Sequence, residues 1–173
     1  SKMSDVLRSE SSRVNGIIEQ FLKFARPPKL NIESISSEDF FKDVIGFAEV
    51  MAAAKNILLK TEIKKNEILE IDIEQFKQVM VNLIKNAVEA IETGGEINIE
   101  FYVKNNKKII AVSDNGKGIE EKAMSKIFNL YYTTKVSGTG LGLSIVQQIV
   151  SRHNGIISVE SKQNKGTKFL IEL

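Results

Sequence analysis

Gly138-Thr139-Gly140-Leu141-Gly142-Leu143 runs straight into Ser144-Ile145-Val146-Gln147-Gln148-Ile149-Val150-Ser151-Arg152-His153, and Asn154-Gly155 closes the run. Three glycines alternate with small or apolar residues, and an amphipathic helix comes next. The first turn of a helix carries unpaired N–H donors and the positive end of the dipole. Glycines let the backbone come close to a bulky anion and adopt positive φ. A turn of this kind is a phosphate site by construction, although such turns also serve as plain connections. The stretch lacks the preceding strand and the G-x-G-x-x-G spacing of the dinucleotide fingerprint. No Gly-Lys-Ser/Thr comes after it, so it is not a Walker loop.

The 173 residues suit one globular domain with an appendage, and 42% apolar residues supply a core. A net charge of +2 leaves no nucleic-acid footprint. The absence of cysteine excludes thiolate metal sites, disulfides and cysteine nucleophiles. No apolar run approaches about 18 residues and no signal-peptide pattern is present, so the chain as given is expected to be cytoplasmic, with no membrane contact of its own, whether the parent protein is soluble or membrane-anchored.

Ser4 to Ala25 reads as a helix. Leu7, Val14 and Phe21 recur every seven residues, and Ile17, Ile18, Leu22 and Phe24 widen the stripe. Arg26-Pro27-Pro28 stops it. Such a helix either packs on its own domain or dimerises in a bundle. The double proline separates it from the rest of the chain and favours the second reading. Next come a short strand over Leu30–Ile35 and a helix that Ser36 caps with Asp39 as the capping-box acid. Its apolar face is Phe40, Phe41, Val44, Ile45, Ala48 and Met51. Ile57–Ile63 and Ile68–Ile73 read as strands, and Glu74–Glu92 as a long helix closed by Thr93-Gly94-Gly95. Strands over Glu96–Val103 and Lys108–Ser113 meet at Asn105-Asn106, a hairpin turn signal. Asp114–Ile119 is a turn, Glu120–Phe128 a short helix, and Asn129–Ser137 an aperiodic polar segment expected to be a mobile loop. Ile156–Ser161 and Thr167–Leu173 complete the strands around the turn Asn164-Lys165-Gly166. The sum is an α+β sandwich, a mixed sheet with helices on one face.

Two features carry chemistry. The Glu74–Glu92 helix buries Val79, Met80, Leu83, Ile84, Ala87 and Ile91, while Asn82, Asn86 and Glu89 share another stripe with Lys85 beside them. Asparagine inside a helix costs roughly 0.5 kcal/mol relative to alanine. Two on one stripe mark either a solvated face or a polar wall over a ligand. Amide oxygen is a hard donor suited to Mg²⁺, which takes few protein ligands beside phosphate oxygens. The second feature is Asp114-Asn115-Gly116-Lys117-Gly118-Ile119 after an apolar strand. It is either a simple turn or an acid that accepts the exocyclic amine of adenine while glycines clear room for the ring.

Together these stretches resemble the catalytic and ATP-binding domain of bacterial sensor histidine kinases, part of the broader family shared with Hsp90, gyrase B and MutL. The asparagine box matches as Asn82-Leu83-Ile84-Lys85-Asn86-Ala87-Val88-Glu89-Ala90, and the first glycine box as Asp114–Ile119. The aromatic box matches as Ile127-Phe128-Asn129-Leu130-Tyr131-Tyr132-Thr133-Thr134-Lys135. The second glycine box is Gly138–Leu143, and the last is Gly166-Thr167-Lys168-Phe169. The likeness covers roughly Leu30 to Leu173. The short loop with Tyr-Thr-Thr-Lys is most similar to nitrogen-regulation and sporulation sensor kinases.

The resemblance implies a Bergerat-type ATP-binding sandwich over residues 29–173. It makes residues 1–28 the second helix of a dimerisation and phosphoacceptor hairpin whose first helix is absent. It implies ATP and Mg²⁺ as cofactors, with Asn86 on the metal, Asn82 on the phosphate side and Asp114 on adenine, supported by Thr167 through water. Gly116 and Gly118 would border the base. Tyr132, Thr133, Gly138, Thr139, Gly140, Leu141 and Gly142 would shape the lid and phosphate wall. ATP-hydrolysing relatives place a water-activating glutamate where Asn82 stands, so transfer to a protein is favoured over hydrolysis. Lys85 and Lys135 are candidate cations near the γ-phosphate, or plain surface lysines. The implied partners are an acceptor histidine on a dimerisation helix, a cognate response regulator and a second copy in the full-length protein. His153, the sole histidine, stands at a helix end where a polar cap is ordinary and is not expected to be the acceptor. Two other readings stay open: a serine kinase of the anti-sigma type, and a nucleotide-dependent switch without catalysis.

Overall fold

The computed structural model describes residues 2–134 and 138–173. Helix α1 (Lys2–Ala25) leads into β1 (Glu33–Ser36), α2 (Ser37–Ala53), β2 (Ile57–Ile63), β3 (Ile68–Ile71) and α3 (Ile73–Ala90). The chain continues through β4 (Gly95–Lys104), β5 (Lys107–Asp114), the short α4 (Glu121–Met124), α5 (Gly142–Arg152), β6 (Ile156–Lys162) and β7 (Gly166–Glu172). Five strands form one sheet in the order β2-β4-β5-β7-β6. Only β2 and β4 run parallel within it. A parallel pair needs a crossover, and β3 with α3 supplies it.

Strand β4 alternates buried Ile97, Ile99 and Phe101 with partly exposed residues, and β7 does the same with Phe169 and Ile171. One face of the sheet is therefore apolar, and α2, α3 and α5 cover it. Phe40, Phe41, Phe76 and Phe101 join the layers, with ring centroids 5.2 to 6.5 Å apart. Ser36 caps α2 through the Asp39 N–H, as the sequence predicts. Asn105 and Asn106 both hold positive φ, 51° and 61°, as a two-residue hairpin requires.

Four expectations need correction. Strands β1 and β3 pair with each other in a separate two-stranded sheet rather than joining the main one. Strand β1 starts at Glu33, not Leu30, because the Asn31 N–H is drawn to the Asp72 carboxylate at 3.0 Å instead of a neighbouring strand. Helix α3 ends at Ala90, with Ile91 already extended, because the Ala90 carbonyl accepts the Lys117 N–H. The helix read over Glu120–Phe128 shrinks to α4. Ala123, Lys126, Asn129 and Tyr132 each donate to the carbonyl three residues back, so the run is a series of tight turns pinned by buried Ile127.

Helix α1 packs against the domain through Ile17 and Phe24, while Leu7, Val14, Ile18 and Leu22 stay exposed. Gln148 donates to the Phe24 carbonyl at 2.9 Å and Arg152 to the Pro28 carbonyl at 2.6 Å, fastening the linker to α5. No described helix is long and apolar enough to cross a membrane.

Candidate nucleotide site

A cavity of about 740 Å³ opens between α3, α5, the Asp114 turn and residues 127–134 and 138–140, a size suited to a nucleotide-scale ligand. Of the residues singled out from sequence, Asn82, Lys85, Asn86, Asp114, Gly118, Tyr132, Thr133, Gly138, Thr139, Gly140, Gly142 and Thr167 line it. Gly116 and Leu141 stand behind the wall. A Cβ on Gly116 would sit 2.5 Å from the Ala90 carbonyl oxygen, so glycine there lets the turn lie against the end of α3. Leu141 is fully buried and anchors the start of α5. Lys135 lies outside the described residues.

The Asp114 end is built from strand register. Asp114 faces Thr167 across β5 and β7. Burial pushes its carboxyl up, and backbone N–H groups of Gly116 and Thr167 only partly offset this. The Ser161 hydroxyl donates to the Gly166 carbonyl at 2.8 Å and accepts the Ile119 N–H at 2.9 Å. Its one proton is thereby used, so the Thr167 hydroxyl, 2.9 Å away, is the donor between the two. Thr167 Oγ1 keeps its lone pairs. Two acceptors, the Asp114 carboxylate and Thr167 Oγ1, thus belong to one end of the cavity. Gly118 completes the turn at φ 66°, and a Cβ there would meet the Lys162 carbonyl oxygen at 2.1 Å.

The opposite end is formed by α3 and the start of α5. Helix α5 begins with no side-chain cap and no acid in its first turn, and Gly142 and Leu143 line the cavity. Its unpaired N–H donors and positive dipole end are suited to an anion. The Asn82 amide donates to the Gly142 carbonyl at 3.4 Å, tying the asparagine stripe to that turn. Asn86 and Glu89 continue the same wall. The Lys85 ammonium lies 3.9 Å from Glu89. Among the described residues no group of three or more acidic, histidine or cysteine side chains could hold a metal by itself. The hard oxygens available are the amides of Asn82 and Asn86 and the Glu89 carboxylate, a sparse set that matches Mg²⁺ bound mainly through phosphate and water.

Residues 71–173 match the family described as histidine kinase-, DNA gyrase B- and HSP90-like ATPases. The chain belongs to that family. It is 36% identical over 169 residues to sporulation kinase A of Bacillus subtilis, covering 96% of this chain and 28% of that protein. It is 33% identical to the sensor histidine kinase ZraS of Salmonella typhimurium, covering 99% of this chain and 37% of that protein. The chain therefore spans about a third of the length of these relatives. The nucleotide-free catalytic domain of the histidine kinase ThkA superposes with a TM-score of 0.75 at 32% identity, over 83% of this chain and 95% of that one. ThkA in complex with the response regulator TrrA gives a TM-score of 0.82 at 28% identity, over all of this chain and 50% of that one.

Sequence reading missed several contributors to this cavity. Lys117, Lys122, Gln163 and Asn164 also line the cavity. The Asn115 side chain accepts the Glu96 N–H at 2.8 Å and fixes the Asp114 turn to β4. Ser161, which sets the direction of the Thr167 hydroxyl, carries no motif at all.

Proposed function

We propose that this chain is the ATP-binding catalytic part of a two-component sensor histidine kinase, and that it donates the γ-phosphoryl of Mg-ATP to a histidine outside residues 1–173. The observation that supports it most is the polarity of the cavity, with two hydrogen-bond acceptors at one end and an uncapped helix N-terminus at the other. Adenine brings a donor amine to Asp114 and Thr167, whereas guanine would bring a carbonyl oxygen against them. The triphosphate is received by the N–H groups at the start of α5. Asn86 is the residue proposed to hold Mg²⁺, with Asn82 and Glu89 nearby, and the ion supplies charge neutralisation on the phosphates when bound.

The position where hydrolytic relatives use a glutamate is Asn82, an amide that cannot take a proton from water. The chain's residues therefore bind and orient ATP without activating water, and the nucleophile must come from elsewhere. Lys85 and Lys135 are proposed to offset charge on the transferring phosphoryl. Residues 1–28 are proposed to be the second helix of a dimerisation hairpin. The exposed Leu7, Val14, Ile18 and Leu22 support this, because a free helix gains nothing from such a stripe. A response regulator is the proposed final acceptor, in keeping with the ThkA complex.

Calorimetric titration with ATP, ADP and GTP, with and without Mg²⁺, tests the nucleotide assignment. ATP should bind well ahead of GTP and gain affinity from Mg²⁺. Equal affinity for GTP would remove the role given to Asp114 and Thr167.

A further inference from the structure

We infer that Lys55 is a positioning residue for the nucleotide site, acting through the last turn of α3. The inference rests on the ATP-binding reading above and extends it to a residue that does not itself line the cavity. Lys55 lies just after α2, and its ammonium donates to the carbonyls of Val88 at 2.9 Å and Ile91 at 2.8 Å. Its own carbonyl accepts the Gly94 N–H at 3.1 Å. The side chain therefore grips the last turn of α3 and the main chain grips the loop behind it.

That turn has no basic residue of its own, and Ile91 leaves the helix in an extended conformation. The final carbonyls of a helix lack intrahelical partners and carry the negative end of the dipole. A lysine reaching them from another element replaces the missing cap. The same turn has a second attachment. The Ala90 carbonyl accepts the Lys117 N–H at 3.0 Å, and Gly116 approaches so closely that a Cβ would overlap it. Glu89 and Ala90 line the cavity, as do Asp114 and Lys117. The end of α3 is thus the joint where the asparagine stripe meets the Asp114 turn. Lys55 clamps that joint from outside and sets the spacing between the phosphate end and the adenine end. A ligand that spans both ends needs that spacing, whereas a ligand that uses one end does not.

The test compares wild type, Lys55→Met and Lys55→Arg at 25 °C, each verified as folded by circular dichroism, with titrations of Mg-ATP and of adenosine. Lys55→Met keeps the aliphatic stem and removes the donors. Mg-ATP affinity should fall about tenfold or more, as small misplacements within a constellation do. Adenosine affinity should change by less than about threefold, and Lys55→Arg should recover part of the Mg-ATP loss. Should Lys55→Met not fold, Lys55→Gln removes the charge and shortens the reach to the carbonyls, and carries the same comparison. A variant with lowered Tm but unchanged Mg-ATP affinity would make Lys55 a stabilising cap only and overturn the inference. Failure of the wild type itself to bind Mg-ATP would instead refute the nucleotide reading.

Discussion

His153 Nε2 accepts the backbone N–H of Asp72 at 2.9 Å, joining the end of α5 to the start of α3. An Nε2 that accepts carries no proton, so Nδ1 holds it and donates to the Ile149 carbonyl at 2.7 Å. The ring also packs edge-on against Phe76, with centroids 4.8 Å apart. Both nitrogens are committed to structure. His153 also stands eleven residues beyond Gly142, about 16 Å along the helix from the proposed phosphate end.

His153→Ala should therefore destabilise the domain without touching nucleotide chemistry. It leaves a partly buried N–H without its acceptor, a loss of about 1–3 kcal/mol. Thermal denaturation should show a Tm lower by about 2–4 °C for each kcal/mol, while ATP affinity of the folded protein stays unchanged. A tenfold change in affinity would contradict the structural role.

Asp72 gives the fold an acid-sensitive joint. Burial raises its carboxyl, but the Asn31 and Gln75 backbone N–H groups and the Gln75 amide outweigh that and hold it below the ordinary range. A depressed native pKa contributes stability above the unfolded value of about 3.9, and that contribution is lost as pH falls through the native value. Denaturant titrations of wild type and Asp72→Asn should differ most above about pH 5 and converge in stronger acid. A gap that is constant with pH would show that the charge plays no part.

Asp114 behaves in the opposite sense. Its carboxyl is raised by burial, so charging it near neutral pH works against the empty fold, and stability from this group is lost as pH rises through the native value. Asp114→Asn should raise the Tm of the nucleotide-free protein at pH 7. It should also weaken ATP about tenfold to more than a hundredfold, the loss of a charged hydrogen bond worth about 1.5–3 kcal/mol. Unchanged ATP affinity would remove Asp114 from the adenine site.

The segment 129–134 contributes Tyr132, Thr133 and Thr134 to the cavity wall, and the Tyr132 N–H closes a tight turn on the Asn129 carbonyl. Segments of this type order around a γ-phosphate. Its amide hydrogen exchange should slow with a non-hydrolysable ATP analogue more than with ADP. Equal protection by both would count against a γ-phosphate contact.

Most strands and the chemistry-bearing stripe were legible because their signals are local. Alternation in Glu96–Val103, the Asn105-Asn106 turn and the spacing of Asn82, Asn86 and Glu89 all lie within a few residues. The missed features depend on distant partners. Lys55 is one lysine among many until the Val88 and Ile91 carbonyls, more than thirty residues away, fold over it. Ser161 gains its role only from the β6–β7 register that sets it opposite Thr167. Leu30–Ile35 showed strand periodicity, yet the Asp72 carboxylate took its backbone donor at Asn31. The Glu120–Phe128 run has helical composition, but past α4 the Lys126 and Asn129 N–H groups close three residues back rather than four.

The most direct measurement of the donor assignment is phosphotransfer in trans. The chain is incubated with γ-labelled ATP and Mg²⁺, alone and together with a longer form that adds the proposed first dimerisation helix and carries the Asp114→Asn substitution. Acid-labile, base-stable phosphate should form only in the mixture, and only on the longer partner. Label on His153 of the isolated chain, or ATP binding with no transfer to the partner, would contradict the account.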